Sequence, residues 1–91
     1  MTITEKEVQV LNRAGLHTRP AAMLVKTSSK YLSDIYLIRD GFMINAKSII
    51  GVMTLAAEQG STLTLRAEGI DSEEAVNSLI LLFEDGFGEP K

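Results

Sequence analysis

The sequence of 91 residues predicts an α+β protein, a two-layer sandwich in which helices cover one face of an antiparallel sheet. The apolar pattern switches several times between the period of a strand and the spacing of a helix, in the order βαββαβα. Strands with one apolar face suit an antiparallel sheet that is solvated on the other side. The length suits one small domain that covers residues 1–91.

The first strand and the first helix flank a short loop. Residues 5–11 alternate roughly every second residue and predict a strand, and residues 12–15 form the loop that follows. Residues 18–29 carry apolar residues at helical spacing. Pro20 fits the first turn of this helix, because N–H groups there have no intrahelical partner. The helix therefore begins next to His17, the only histidine of the chain.

The middle of the chain predicts a hairpin and a second helix. Residues 35–38 and 42–45 predict strands, and the Asp-Gly pair between them is typical of a tight hairpin turn. Residues 47–57 predict the second helix, with Ser48 as its N-cap.

The last two elements are a strand and a helix. Residues 62–67 alternate cleanly and predict the fourth strand. Asp71, followed three residues later by Glu74, predicts a capping box that opens a helix extending to about Glu84. We expect residues 86–91 to form a flexible tail.

The composition argues against several functional classes. With no cysteine and one histidine, the chain has neither disulfides nor a thiolate or multi-histidine metal site. A net charge of −3 provides no basic footprint for nucleic acid, and the absence of tryptophan argues against a base-stacking platform. No apolar stretch approaches the ~20 residues of a membrane span, and the first residues lack a signal-peptide hydrophobic region. We therefore expect a cytoplasmic protein that does not insert into membranes.

The segment around His17 predicts a phosphate-handling site. A helix N-terminus presents unpaired N–H groups and a partial positive charge, so it favours anions. A neutral imidazole there is a nucleophile that can accept a phosphoryl group. Arg19 can bind the phosphate oxygens in a bidentate way, and the N–H groups of Thr18 and Arg19 can add donors. The alternative is a surface or capping histidine without chemistry.

The start of the second helix is the other unusual segment. It carries too many apolar residues for one narrow stripe: Ile49, Ile50, Val52, Met53 and Leu55. They predict either an exposed docking patch or a broad core face. Ser48 at the N-cap is a favourable position for phosphorylation, because added negative charge would face the positive helix end. The alternative for Ser48 is a simple cap.

Taken together, these segments resemble the HPr family, the histidine-containing phosphocarriers of the bacterial phosphoenolpyruvate-dependent sugar phosphotransferase system. Residues 15–22 match the active-site signature of that family, and residues 47–53 resemble its serine-phosphorylation segment. Residues 67–71, with the Glu-Ala pair that follows at 74 and 75, match its last strand-to-helix junction. The resemblance covers nearly the whole chain.

The resemblance implies an open-faced sandwich with sheet order 1-4-2-3 and three helices on one face. It implies that enzyme I phosphorylates His17 at Nδ1, that Arg19 steadies the phosphate, and that the group passes to the A domain of a sugar-specific enzyme II. Ser48 would be the target of an HPr kinase/phosphorylase. The partner-docking residues would be Ala22, Lys26, Lys47, Ile49, Ile50 and Met53. Such a protein is a monomeric transfer intermediate rather than an enzyme, and it needs no cofactor or metal.

Three alternatives remain at this stage. The chain could be a carrier in a regulatory branch of the nitrogen-related type, with the same chemistry on His17. It could be a regulator that acts through Ser48 without sugar transport. It could also be a non-catalytic interaction module, in which case replacing His17 would change neither phosphorylation nor partner binding.

Overall fold

The computed structural model describes residues 2–91 and confirms the α+β fold class. The strands are β1 (Ile3–Gln9), β2 (Asp34–Arg39), β3 (Phe42–Asn45) and β4 (Thr62–Glu68), and the helices are α1 (Thr18–Ser28), α2 (Ile49–Thr54) and α3 (Ser72–Glu84). A short 3₁₀ turn, Gly86–Gly88, follows α3. Within residues 2–91, no helix combines the length and the apolar character that a membrane crossing requires.

The four strands form one antiparallel sheet in the order β1-β4-β2-β3, as the family resemblance implied. β4 is an inner strand, bonded to β1 on one side and to β2 on the other. Its alternate residues Leu63, Leu65 and Ala67 are buried. On the other face, Arg66 pairs with Glu5 across the β1–β4 ladder. The period-two pattern of this strand therefore separates an apolar core face from a charged open face.

The helices supply the second layer of the core. α3 packs on β1 and β4 and on α1, and α1 also packs against α2. The fully buried apolar side chains of the helical layer are Ala21, Leu24, Val52, Ala75, Val76, Leu79 and Phe83. Because α1 and α2 are neighbours, the two segments singled out in the sequence lie in the same helical layer.

The second helix is shorter than the sequence predicts, although its N-cap is confirmed. Ser48 Oγ accepts a hydrogen bond from the N–H of Gly51 at 3.1 Å, as an N-cap does. Lys47 lies before the helix, because Ser48 is the N-cap, and the N–H of Lys47 donates to Asn45 Oδ1 at 2.8 Å. At the other end, Ala56 adopts a left-handed conformation with φ 49°. Such a φ cannot continue a right-handed helix, so α2 ends earlier than predicted.

The predicted capping box at Asp71 is wrong. Asp71 is the N-cap of α3 by position, but its side chain makes no capping hydrogen bond. Its carboxylate instead accepts hydrogen bonds from the N–H groups of Leu32 and Ser33, at 2.8 and 2.9 Å, and from the Ser33 hydroxyl. These bonds, chiefly the one from the hydroxyl, lower the pKa of Asp71. Asp71 therefore ties the loop between α1 and β2 to the start of α3.

The end of the chain is packed, so the expectation of a flexible tail over residues 86–91 is corrected. Phe87 is fully buried, and its ring meets that of Phe83 edge to face, with centroids 5.0 Å apart. The N–H of Arg13 donates to the carbonyl of Pro90 at 2.8 Å. Gly86 and Gly88 have φ values of +62° and +70°, which allow the chain to reverse after α3. An apolar anchor among glycines holds the segment in place, and periodicity does not reveal such an anchor.

Candidate functional site

His17 occupies the N-cap position of α1, where the sequence places it. Its backbone is extended, and its carbonyl accepts the first helical hydrogen bond, from Ala21 at 3.0 Å. Its side chain makes no capping hydrogen bond and is 43% exposed. The imidazole is therefore open to solvent at the positive end of an eleven-residue helix.

The loop before His17 is fixed by close packing against the segment that follows α2. The N–H of Leu16 donates to the carbonyl of Ala57 at 2.9 Å, and the Leu16 side chain is buried. Gly15 has φ +73°, and a Cβ built there would lie 2.6 Å from the Ala57 oxygen. Only glycine fits this approach, so the Gly-Leu-His order of the sequence sets the position of the imidazole.

The first turn of α1 provides donors beside the imidazole. The N–H groups of Thr18 and Arg19 lie where a helix has no intrahelical partner for them, whereas Pro20 has no N–H. The guanidinium of Arg19 is 56% exposed. The helix N-terminus and the exposed guanidinium both favour a negatively charged group such as phosphate near the imidazole.

The C-terminal segment closes over this site, which sequence reasoning missed. Both carboxylate oxygens of Glu89 lie 2.9 Å from His17 Nε2. Nη1 of Arg19 donates to the carbonyl of Phe87 at 2.8 Å and to Glu89 Oε2 at 3.2 Å. Nδ2 of the buried Asn12 donates to Glu89 Oε1 at 3.0 Å and to the Gly15 carbonyl at 2.8 Å. Glu89 thus links the loop, the imidazole and the guanidinium.

The electrostatics of this cluster keep Glu89 ionised. The hydrogen bond to His17 is the main cause that lowers the pKa of Glu89, and bonds from Asn12 and Arg19 act in the same direction. Partial burial opposes them, because the carboxylate is only 12% exposed. The contacts prevail, so the carboxylate is negatively charged at neutral pH.

The remaining candidate residues lie on α1, on α2 and in the loop before it. Three apolar residues of α2 form an exposed apolar patch, Ile49, Ile50 and Met53, at 42%, 77% and 41% exposure. Val52 and Leu55 are buried, so the crowded apolar segment divides between patch and core. Ala22 and Lys26 are exposed on α1, and Nζ of Lys47 donates to the carbonyl of Tyr31 at 2.8 Å. Among residues 2–91, no cluster of acidic, histidine or cysteine side chains is arranged to hold a metal ion.

The family model and the similar curated proteins all indicate the same family. Residues 4–85 match the family model described as PTS HPr component phosphorylation site. The chain is 50% identical over 84 residues to the phosphocarrier protein HPr of Treponema pallidum, covering 92% of this chain and 96% of that one. It is also 45% identical over 82 residues to the HPr-like protein Crh of Halalkalibacterium halodurans, covering 90% and 98%.

Solved structures agree with the fold. The crystal structure of HPr-C-His from Thermoanaerobacter tengcongensis is 45% identical, with a TM-score of 0.92 over 97% of this chain and 99% of that one. A crystal structure of an HPr dimer from the same organism is 48% identical, with a TM-score of 0.77 over 90% and 94%. The second structure shows that a dimer exists for a chain similar to this one.

Proposed function

Since the chain belongs to the HPr family, we propose that it is a phosphocarrier that accepts a phosphoryl group on His17 from phospho-enzyme I and passes it to the A domain of an enzyme II. The carrier acts between two partners and regenerates its own imidazole, so it is a transfer intermediate rather than an enzyme. It works in the cytoplasm as a single domain, without a cofactor or a metal.

One observation carries this proposal. His17 is an accessible imidazole at the N-terminus of α1, with Arg19 two residues further on and the free N–H groups of the first turn around it. The imidazole supplies the nucleophile, and the donors stabilise the negative oxygens of the bound group without enclosing it. An open site of this kind suits a group that must be released again to a second protein.

The first experiment is phosphoenolpyruvate-driven labelling with purified enzyme I. The wild type, His17→Ala and Ser48→Ala are compared by intact mass at alkaline pH, where phosphohistidine survives. We expect one acid-labile phosphoryl group on the wild type and on Ser48→Ala, and none on His17→Ala. An unlabelled wild type, with an enzyme I shown to be active on another carrier, would overturn the proposal.

The same assay separates the sugar branch from a regulatory branch. Phospho-carrier is offered to enzyme IIA domains of the sugar system and to those of the nitrogen-related type. Transfer to a sugar-specific domain supports the proposal in its first form. Transfer to the nitrogen-related domain alone would assign the same chemistry on His17 to the regulatory branch.

Ser48 is the basis of a second candidate function, a regulator controlled by serine phosphorylation. Its hydroxyl lies at the N-cap of α2, next to the exposed apolar patch, and the chain is nearly as similar to a Crh protein as to an HPr. Incubation with an HPr kinase/phosphorylase and ATP should give acid-stable phosphate on the wild type and none on Ser48→Ala. Label at Ser48 together with none at His17 would favour the regulator.

The partners dock, in this proposal, on the surface formed by α1, α2 and the loop before α2. The exposed apolar patch of Ile49, Ile50 and Met53 forms its centre, and Ala22, Lys26 and Lys47 lie around it. A carrier must release its partners, so a small interface with modest affinity suits its task. The carrier acts as a monomer, and light scattering after size exclusion should give the mass of one chain. A concentration-independent dimer would contradict this.

A further inference from the structure

We propose that Glu89 is a positioning residue for the phosphoryl-accepting histidine. Its carboxylate holds the proton of the neutral imidazole on Nε2 of His17 and thereby leaves the lone pair of Nδ1 as the nucleophile. This inference rests on the proposed carrier function of His17, and it assigns a role to the C-terminal segment of the chain.

The choice of nitrogen follows from what each group can donate. Glu89 presents both oxygens at 2.9 Å to Nε2. An ionised carboxylate only accepts hydrogen bonds, so Nε2 must be the donor. A neutral imidazole carries one N–H, and therefore the other nitrogen, Nδ1, is unprotonated. The imidazole makes no capping hydrogen bond to α1, so the helix does not consume the Nδ1 lone pair.

Glu89 is held firmly enough to orient a ring. Its N–H donates to the carbonyl of Gly86 at 3.0 Å, and the neighbouring Pro90 carbonyl accepts from Arg13. The buried ring of Phe87, two residues earlier, anchors the segment in the core. The carboxylate itself is bonded by Asn12 on one side and Arg19 on the other. It is therefore a fixed hydrogen-bond acceptor rather than the end of a mobile tail.

The transfer step balances without any proton movement. The Nδ1 lone pair forms the N–P bond while the bond between phosphorus and the donor's leaving atom breaks, and that atom keeps the electron pair. The proton stays on Nε2, so the phosphorylated ring carries a positive charge, and the Glu89 carboxylate stabilises it as the charge develops. When the group moves to the next acceptor, the N–P electrons return to Nδ1 and restore the neutral ring.

A competing interpretation is that Glu89 mimics the phosphate and blocks the site. The carboxylate, however, contacts Nε2, and the two nitrogens of an imidazole point in different directions, so the nucleophilic lone pair is not covered by this contact. The imidazole also keeps 43% of its surface exposed. The two interpretations predict opposite effects of removing the carboxylate, so one variant separates them.

The test uses Glu89→Gln, which keeps the size of the side chain and removes its charge. The matched control is Glu84→Gln, the same change at an exposed residue at the end of α3. Long-range ¹H–¹⁵N NMR correlations of His17 in the unphosphorylated proteins report which ring nitrogen carries the proton at mildly alkaline pH. We expect the Nε2–H form in the wild type and in Glu84→Gln. In Glu89→Gln the amide can donate to Nε2, so the Nδ1–H form should increase.

The kinetic arm measures kcat/KM for acceptance of phosphate from enzyme I. Loss of one charge-assisted hydrogen bond predicts a fall of about tenfold in Glu89→Gln and no change in Glu84→Gln. A wild type with the proton on Nδ1, an unaltered tautomer in Glu89→Gln, or acceptance at an equal or higher rate would each overturn the inference. Because the tautomer is read without phosphate, this inference can fail while His17→Ala labelling still supports the carrier function, and the reverse also holds.

Discussion

Arg19 uses one guanidinium for two tasks, since it binds the C-terminal segment and is proposed to bind the phosphate. Nη1 donates to the Phe87 carbonyl and to Glu89, while the side chain remains more than half exposed. The planar guanidinium has five N–H donors, so part of it stays available for the oxygens of a phosphoryl group. We expect the ion pair with Glu89 to contribute little to stability, because the guanidinium end of the pair is more than half exposed.

We expect Arg19→Ala to slow phosphoryl transfer from enzyme I by about ten- to a hundredfold, the worth of charge-assisted hydrogen bonds to the phosphate. The free energy of unfolding should fall by about 1 kcal/mol or less, because the guanidinium is more than half exposed. Single-turnover transfer and urea denaturation measure the two effects separately. A transfer rate like that of the wild type would remove Arg19 from the site, and a large loss of stability would make its role structural.

The sequence predicted residues best where their structural role depends only on near neighbours in the chain. It placed His17 and Arg19 at the start of α1 and Ser48 at the N-cap of α2, because caps and first-turn prolines act within a few residues. It missed Glu89, whose contact with His17 joins residues 72 positions apart. A contact between residues so far apart in the chain leaves no periodic pattern in the sequence. The glycines that flank Phe87 are typical of a flexible tail, which is what the sequence predicted.

At the scale of the elements, α2 is a short helix whose two faces have different tasks. Val52 faces the core, while the exposed apolar patch of Ile49, Ile50 and Met53 faces solvent. An exposed patch on so short an element contributes little to folding, and so it is available for binding.

We expect Ile50→Glu to raise the KM for enzyme I by about five- to thirtyfold and to leave the fold intact, because a charge at the centre of the docking surface would have to lose its hydration on binding. Ile50 is 77% exposed. Leu81→Glu is the control, since Leu81 is 65% exposed on α3 and is not one of the proposed docking residues. Steady-state transfer kinetics provide both values. Equal effects of the two substitutions would show that charge alone, rather than the patch, governs the encounter.

The junction between the α1–β2 loop and α3 depends on Asp71. The predicted capping box failed because the same Asp-x-x-Glu pattern is compatible with an aspartate that bonds a distant loop. The local sequence pattern identified where α3 begins, but it could not show which N–H groups would donate hydrogen bonds to the carboxylate.

The lowered pKa of Asp71 predicts how the stability of the protein depends on pH. Its pKa is lowered in the folded protein, so its contribution to stability is present above the unfolded value of about 3.9 and is lost as pH falls towards the folded value. Asp71→Asn should therefore lower the melting temperature at neutral pH, and the difference from the wild type should shrink below pH ~4. Asp34→Asn, at an exposed acid of β2, is the control. A difference that stays constant down to pH ~2 would contradict the assignment.

For the whole molecule, alternation in β4 and helical spacing in α3 were enough to predict the layers, because both elements bury one face against the other. The strand order came from family resemblance, since period alone does not say which strands pair. The end of the chain was not predictable from pattern. Its anchor, Phe87, is a single buried residue with a left-handed φ of 56°, a conformation that a bulky residue rarely adopts.

The strain at Phe87 persists because its ring is fully buried and packs edge to face against Phe83. We expect Phe87→Ala to lower the free energy of unfolding by about 3 kcal/mol, the usual loss for a buried phenylalanine, as measured by urea denaturation. Because the backbone of this segment also carries Glu89, the Nε2–H preference of His17 should weaken in the same variant. Phe87→Leu, which keeps most of the apolar volume, should retain more of both properties. A loss of stability with an unchanged tautomer would show that Asn12 and Arg19 hold the Glu89 carboxylate at His17 without help from the Phe87 ring.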